Sequence, residues 1–312
     1  MATLVLALVA GGGLWAYYRG IDKGLKRTDP FAQITGGRPA KTVDGALNIL
    51  LLGSDSRDPD NAAKGGEWRT DTLILMHVSA SHDKAYLISI PRDLYVPIPD
   101  HGRSKINAAF AYGGLPLTVR TIEGFTDVHI DHVALIDFGG FKQVTDALGG
   151  VDLNIEQDVK SIHPPYRQFH KGVRHLDGAE ALDYVRQRKQ FPEGDFARMR
   201  HQQQFMKALL DKAVSGGTLS NPLKLNAFLK ATTKAMTVDN DFSIADMALQ
   251  FRGIHSDDLT FMVSPFSGTE DIDGENVVVS DKPRAASLYD AVAKDKVADW
   301  VTQNHPAPKP TG

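Results

Sequence analysis

Arg92 in SIPRD (89–93), Arg186 and Arg188 in YVRQR (184–188) and Arg198 in GDFARMR (194–200) stand in short motifs. Two further motifs, LLLGSDSR (50–57) and RTDT (69–72), each carry a turn aspartate, Asp55 and Asp71. Planar guanidinium forks match phosphate oxygens bidentately, and magnesium is usually held by one or two carboxylates together with phosphate oxygens. Four arginines and two aspartates therefore read together as a site for a diphosphate, with Asp55 and Asp71 as Mg2+ ligands. Each motif alone has a plainer explanation. Asp55 can cap a turn, Asp71 can pair with Arg69, Arg92 can pair with Asp93 on the surface, and Arg186 with Arg188 can form a solvated basic helix end.

These residues need elements that bring them to one edge. Short runs rich in Ile, Val and Leu at 47–52, 73–79, 85–90, 128–136 and 151–155 predict strands. Helix-like stretches at 104–112, 116–124, 138–148, 178–185, 196–214, 222–236 and 284–293 lie between and after them. Mixed order of this kind predicts an α/β fold, with an α-β-α layered domain around a central mixed sheet. Asp55, Asp71 and Arg92 then fall at strand ends, where loops of α/β sheets meet ligands. Lys105 and Asn107 are read as opening a helix whose first amides favour an anion. Arg186 and Arg188 are about 200° apart on a helix but share a face on an extended segment, so the helix is predicted to end near Tyr184. In the next helix, Met199, Met206, Leu209, Leu210 and Ala213 form the apolar stripe. Arg198, His201 and Gln202 lie on one flank and Arg200 on the other. Asp177 with Glu180 resembles a capping box, and Gly149-Gly150 a helix stop.

The 312 residues, 42% hydrophobic and 23% charged, suffice for one large domain or two small ones. A net charge of −3 gives no global basic field, which argues against nucleic acid as a partner. The absence of cysteine excludes disulfides and thiolate chemistry. Residues 1–18 are read as a single transmembrane anchor: Ala2 to Tyr18 carry no charge and span about 25 Å as a helix, against roughly 30 Å of hydrocarbon. A cleaved signal peptide or a buried helix are the alternatives. The basic residues that follow, Arg19, Lys23, Lys26 and Arg27, would by themselves place the downstream side in the cytoplasm. Residues 19–45 read as a flexible tether, 46–304 as the catalytic domain with its motif core at 46–215 and a remaining layer at 216–304, and 305–312 as a disordered tail. That layer offers a helix near 222–236, another around 243–252, a strand at LTFMVS and a final helix. The eleven histidines show no ligand spacing such as HExxH, and no Walker loop, dinucleotide fingerprint or GxSxG elbow occurs.

The succession LLLGSDSR, RTDT, SIPRD, SKINAAFAYGG, ALGGVD, LDGAEALDYVRQR and GDFARMRHQQQ resembles the LytR-CpsA-Psr family of bacterial cell-envelope proteins, strongly over residues 46–215. The resemblance implies a phosphotransferase of the bacterial cell membrane, single-pass, with its catalytic domain outside the cytoplasm. It implies Mg2+-dependent transfer of a glycopolymer phosphate from a polyprenyl diphosphate carrier to a peptidoglycan hydroxyl. Asp55 and Asp71 match the family's magnesium carboxylates, Arg92, Arg186, Arg188 and Arg198 its diphosphate-binding arginines, and Lys105 and Gln202 accessory positions. Arg57, Arg69 and Asn107 complete the expected donor contacts, and Asp93 and Asp195 are both candidates for the base. Many relatives carry arginine where this chain has His201, which puts one charge contact in question. A lipid-diphosphate hydrolase and a non-enzymatic lipid-diphosphate-binding regulator are the alternative functions.

Overall fold

The computed structural model describes residues 22–32, 34, 36–54, 70–215, 221–251 and 253–304. Strands β1 (Lys26–Thr28), β2 (Leu47–Ser54), β3 (Thr70–Val78), β4 (Ala85–Ser89), β5 (Tyr95–Ile98) and β6 (Gly102–Lys105) lead into helix α1 (Ala108–Thr126). Strand β7 (His132–Asp137), helix α2 (Phe138–Ala147) and strands β8 (Val151–Ile155), β9 (Val159–Lys160), β10 (Gln168–Phe169) and β11 (Gly172–Leu176) come next. Helices α3 (Gly178–Val185), α4 (Asp195–Ser215) and α5 (Pro222–Ala235) are followed by β12 (Met236–Asp239) and α6 (Ile244–Phe251). The chain closes with β13 (Leu259–Val263), β14 (Phe266–Ile272), β15 (Glu275–Ser280), α7 (Lys282–Ala293) and α8 (Val297–Asn304).

Two compact units divide the chain, one of residues 1–28 and 136–256, the other of 29–135 and 257–312. In the second unit the strands run in the order β7-β2-β3-β4-β13. The pairs β2–β3 and β3–β4 are antiparallel and β4–β13 is parallel, so the expected α/β organisation around a mixed sheet is present. All five residues of β4 are buried, as are Ile49, Leu50 and Leu52 of β2 and Leu73, Ile74 and Leu75 of β3. Nearly continuous apolar runs are what a sheet covered on both faces requires.

Several boundaries depart from the sequence reading. Strand β7 begins at His132, because just before it side chains replace ladder carbonyls: Asn48 N–H of β2 donates to the Asp131 carboxylate, and Ile130 N–H donates to the Glu123 carboxylate. Lys105 closes strand β6 instead of opening a helix, and Asn107 takes the N-cap position of α1 without a side-chain cap bond. The two helices expected at 104–112 and 116–124 are both present within α1, the first starting later at Ala108, and are separated by Gly113 and Gly114, which leave helical geometry, the latter at φ 61, a left-handed value that favours glycine.

The first unit pairs β1 with β12 in parallel and β8 with β11 antiparallel. Strand β8 alternates buried and exposed residues, and Val151, Leu153 and Ile155 pack with Ala181, Tyr184, Val185 and Phe205. Helix α3 starts at the expected capping box, with the Asp177 carboxylate accepting from Ala179 and Glu180 N–H and Glu180 returning to Asp177 N–H.

Residues described between 22 and 45 are built into the fold rather than forming a tether. Strand β1 lies there, and Arg27 donates to the carbonyls of Asp239, Asn240 and Phe242. In the other unit, Arg38 grips both carboxylate oxygens of buried Glu123. The expected anchor at 1–18 and tail at 305–312 lie outside the described residues. Among the described residues no helix is long and apolar enough to cross a membrane.

Candidate active site

Proline ends β4 at Pro91, since it has no N–H for the ladder, and the chain turns to present Arg92 and Asp93. The Arg92 guanidinium donates to Asp71 Oδ1 at 2.5 Å and lies 3.5 Å from Asp93 Oδ2, all three side chains half-buried. Backbone bonds hold this turn on both sides: Asn107 N–H donates to Arg92 O, Ile106 N–H to Leu94 O, and Val278 N–H to Asp93 O. Asn107 is thereby placed beside the Arg92 turn and buried, while Lys105 Nζ forms an ion pair with Glu275 at 3.1 Å. The second unit therefore collects Asp71, Arg92, Asp93 and Asn107.

The first unit collects the other arginines. Helix α3 ends at Val185, and Arg186 occupies its C-cap. Past the helix, Gln187 is buried while Arg186 and Arg188 remain partly exposed; Arg186 keeps helical backbone angles (φ −93, ψ −11) and Gln187 N–H donates to Tyr184 O, so the segment begins as a turn and not as the extended stretch expected. Arg186 lies 4.4 Å over the Phe138 ring centroid, a cation–π contact. Asp195, the first residue of α4, sits where the helix dipole favours a carboxylate. It accepts from Arg188 at 3.4 Å and from Arg198 at 2.8 Å. His163 also lies within their field: burial lowers its imidazole pKa, the guanidinium charges of Arg186 and Arg188 add to this, and Asp183 opposes it.

Arg200 takes a separate course from Arg198, as the helical-face reading expects, but His201 does not share the Arg198 flank: its Nε2 lies 4.0 Å from Glu156, the carboxylate that Arg200 holds. Arg200 forms a two-point pair with Glu156, both contacts at 2.8 Å, and holds that carboxyl below its usual range. Gln202 is half-buried one turn after Arg198. His201 is fully buried, its ring centroid 4.6 Å from those of both Tyr184 and Phe191, and burial pushes its pKa down to about 4. It is thus a neutral aromatic-nest residue near neutral pH and supplies no cation for a phosphate.

Asp55, Arg57 and Arg69 lie outside the described residues. Among those described, no group of three or more acidic or histidine side chains is placed to hold a metal. Asp71 nevertheless fits a hard cation bound mainly through phosphate oxygens and water, since such a site needs only one or two carboxylates and Asp71 is accessible at a strand end. Sequence reasoning missed the buried set Ser161, Asp183 and Gln187. Its only signal was an aspartate inside the otherwise apolar ALDYV stretch of α3.

The sequence model of the LytR_cpsA_psr family matches residues 17–294. The chain belongs to the LytR-CpsA-Psr family. A Corynebacterium glutamicum relative named probable cell wall biosynthesis protein LcpB is 35% identical over 303 residues, 92% of this chain and 68% of that protein. A Bacillus cereus relative named polyisoprenyl-teichoic acid–peptidoglycan teichoic acid transferase TagU is 35% identical over 247 residues, 76% of this chain and 78% of its own. Among solved structures, Bacillus subtilis TagV superposes with a TM-score of 0.69 at 27% identity, covering 82% of this chain and 98% of that one. A structure described as TagT bound to LI-WTA gives a TM-score of 0.66 at 26% identity, over 83% and 96% respectively.

Proposed function

We propose that this LytR-CpsA-Psr protein transfers a glycopolymer, as its sugar phosphate, from a polyprenyl diphosphate carrier to a peptidoglycan hydroxyl, at the outer face of a bacterial cell membrane to which residues 1–18 anchor it. The observation that carries this reading is the guanidinium cluster at the start of α4, where Arg188 and Arg198 share the Asp195 carboxylate. Relatives named as transferases of teichoic acid to peptidoglycan support the substrate class. Arg92, Arg186, Arg188 and Arg198 bind the donor's phosphate oxygens, with Arg57, Arg69, Lys105, Asn107 and Gln202 as accessory contacts.

In the reaction the acceptor hydroxyl oxygen forms a bond to the sugar-linked phosphorus. The bond from that phosphorus to the bridging oxygen breaks, and the bridging oxygen leaves on the carrier's phosphate. The hydroxyl proton passes to a carboxylate, Asp93 or Asp195. Little covalent chemistry is asked of the protein, so positioning and charge stabilisation on equatorial and leaving oxygens supply the rate. Mg2+, held through Asp71 and Asp55, would neutralise phosphate charge when bound.

The test incubates the full chain with Mg2+, a labelled polyprenyl diphosphate sugar and peptidoglycan. Label on the peptidoglycan is the expected result. Free sugar phosphate would replace the proposal with a hydrolase, and unchanged lipid with a binding protein.

A further inference from the structure

We infer that Gln187 is a positioning residue: through a buried knot with Ser161 and Asp183, it sets the direction in which Arg186 and Arg188 are presented to the donor's phosphates. The role rests on the proposed function, but the geometry behind it is independent of any substrate. Gln187 has no exposed surface. Its Nε2 amide is shared among Ser161 Oγ at 2.9 Å, the Asp183 carbonyl at 2.9 Å and Asp183 Oδ1 at 2.7 Å. Its Oε1 accepts from Gln190 Nε2 at 2.6 Å, and its backbone N–H donates to Tyr184 O at 3.0 Å. Both ends of the side chain and the main chain are therefore fastened.

The other members are fastened too. Ser161 Oγ lies 2.5 Å from buried Asp183 Oδ1, and Arg167 stands 3.5 Å from Asp183 Oδ2. The same Ser161 hydroxyl accepts from His163 N–H at 2.9 Å, so the knot ties the His163 loop to the turn that carries the arginines. Such a network resists partial rearrangement, because a buried polar group left without its partner costs more than the bond it lost.

The consequence for the arginines is geometric. In the turn that follows α3, Gln187 is the buried residue and its chain neighbours Arg186 and Arg188 are the partly exposed ones, so a rotation of this turn about Gln187 would redirect both arginines. An apolar residue at 187 could also be buried, but it would have no directional bonds to fix the rotation of the turn. Arginine side chains carry large rotamer entropy, so holding their backbone in the productive direction before the donor arrives lowers the cost of binding it.

The test compares the full-length wild type with Gln187→Met and Arg188→Ala in the transfer assay. It also follows the His163 imidazole by NMR titration in each protein. Gln187→Met is expected to lower kcat/KM roughly ten- to a hundredfold, the scale of a misplaced binding group. It should also raise the His163 pKa part of the way toward its ordinary value, because burial, the larger cause of the lowering, remains while the guanidiniums that add to it have turned away. Wild-type turnover in Gln187→Met, or an activity loss with His163 titrating as in wild type, would overturn the inference. If Gln187→Met does not fold, Ser161→Ala removes one arm of the knot and is judged by the same two readouts. Impaired Arg188→Ala beside unimpaired Gln187→Met would sink the positioning role alone. An inactive wild type would sink the proposed transfer reaction, leaving the His163 titration to decide the positioning role.

Discussion

Two arginines two residues apart at the start of α4 should differ sharply in what their removal does. Arg198 keeps only 5% of its side chain exposed and donates to Asp195 at 2.8 Å, while Arg188 approaches the other oxygen of that carboxylate. Arg200 is 44% exposed and bound to Glu156 on the opposite flank. Removing a charged hydrogen bond to a bound phosphate costs about 1.5–3 kcal/mol, which at about 1.4 kcal/mol per decade is roughly ten- to a hundredfold in kcat/KM. Arg198→Ala should show that loss. Arg200→Ala breaks an exposed ion pair worth about 0–1 kcal/mol of stability and should leave turnover within about fivefold of wild type. Steady-state transfer rates with a labelled donor, paired with thermal melts to exclude unfolding, read both variants. Equal losses in the two would refute the helical-face reasoning, and a near-normal Arg198→Ala would remove that residue from the site.

Three further outcomes follow from particular contacts. Asp71→Asn should depress transfer roughly tenfold or more, with partial recovery at raised Mg2+; a loss indifferent to Mg2+ would reassign Asp71 to holding Arg92 alone. Arg38→Ala strands the buried Glu123 carboxylate and should cost about 3 kcal/mol in urea denaturation, whereas an unchanged midpoint would return this segment to the role of a tether. His201 has a folded pKa of about 4 against an ordinary 6.5, so between those values the unfolded chain takes up a proton that the folded chain refuses. Stability is therefore lost as pH falls from about 6.5 to about 4, by about 3 kcal/mol in total from this group. His201→Phe should lose less over the same range, and an identical pH dependence of denaturation in the two proteins would contradict the buried neutral imidazole.

Much of the framework that carries the candidate residues was legible because its signals are local. Strand β4 reads from its apolar run and the proline that stops it, and α3 from its capping box. The spacing of Arg186 and Arg188 required a helix end near Tyr184, and the helix ends at Val185. What escaped depends on distant partners. Strand β1 is three residues long and exists because Arg27 and its neighbours meet β12, more than two hundred positions away. The β14–β15 hairpin is mostly exposed along β14, so no buried face imposes a period on its sequence. His201 carries the same letter as a surface histidine, and only the rings of Tyr184 and Phe191 around it make it a core residue. The Ser161–Asp183–Gln187 knot joins a loop to a helix end 22 or more residues on, a relation no spacing rule encodes.

The most direct test of the arginine assignment is equilibrium binding of a prenyl diphosphate and the matching prenyl monophosphate to wild type, Arg92→Ala and Arg188→Ala. The second phosphate should tighten wild-type binding roughly ten- to a hundredfold, and each variant should lose most of that preference. Equal affinity of the wild type for the two lipids, or a preference that survives in both variants, would contradict the assignment of these arginines to a diphosphate.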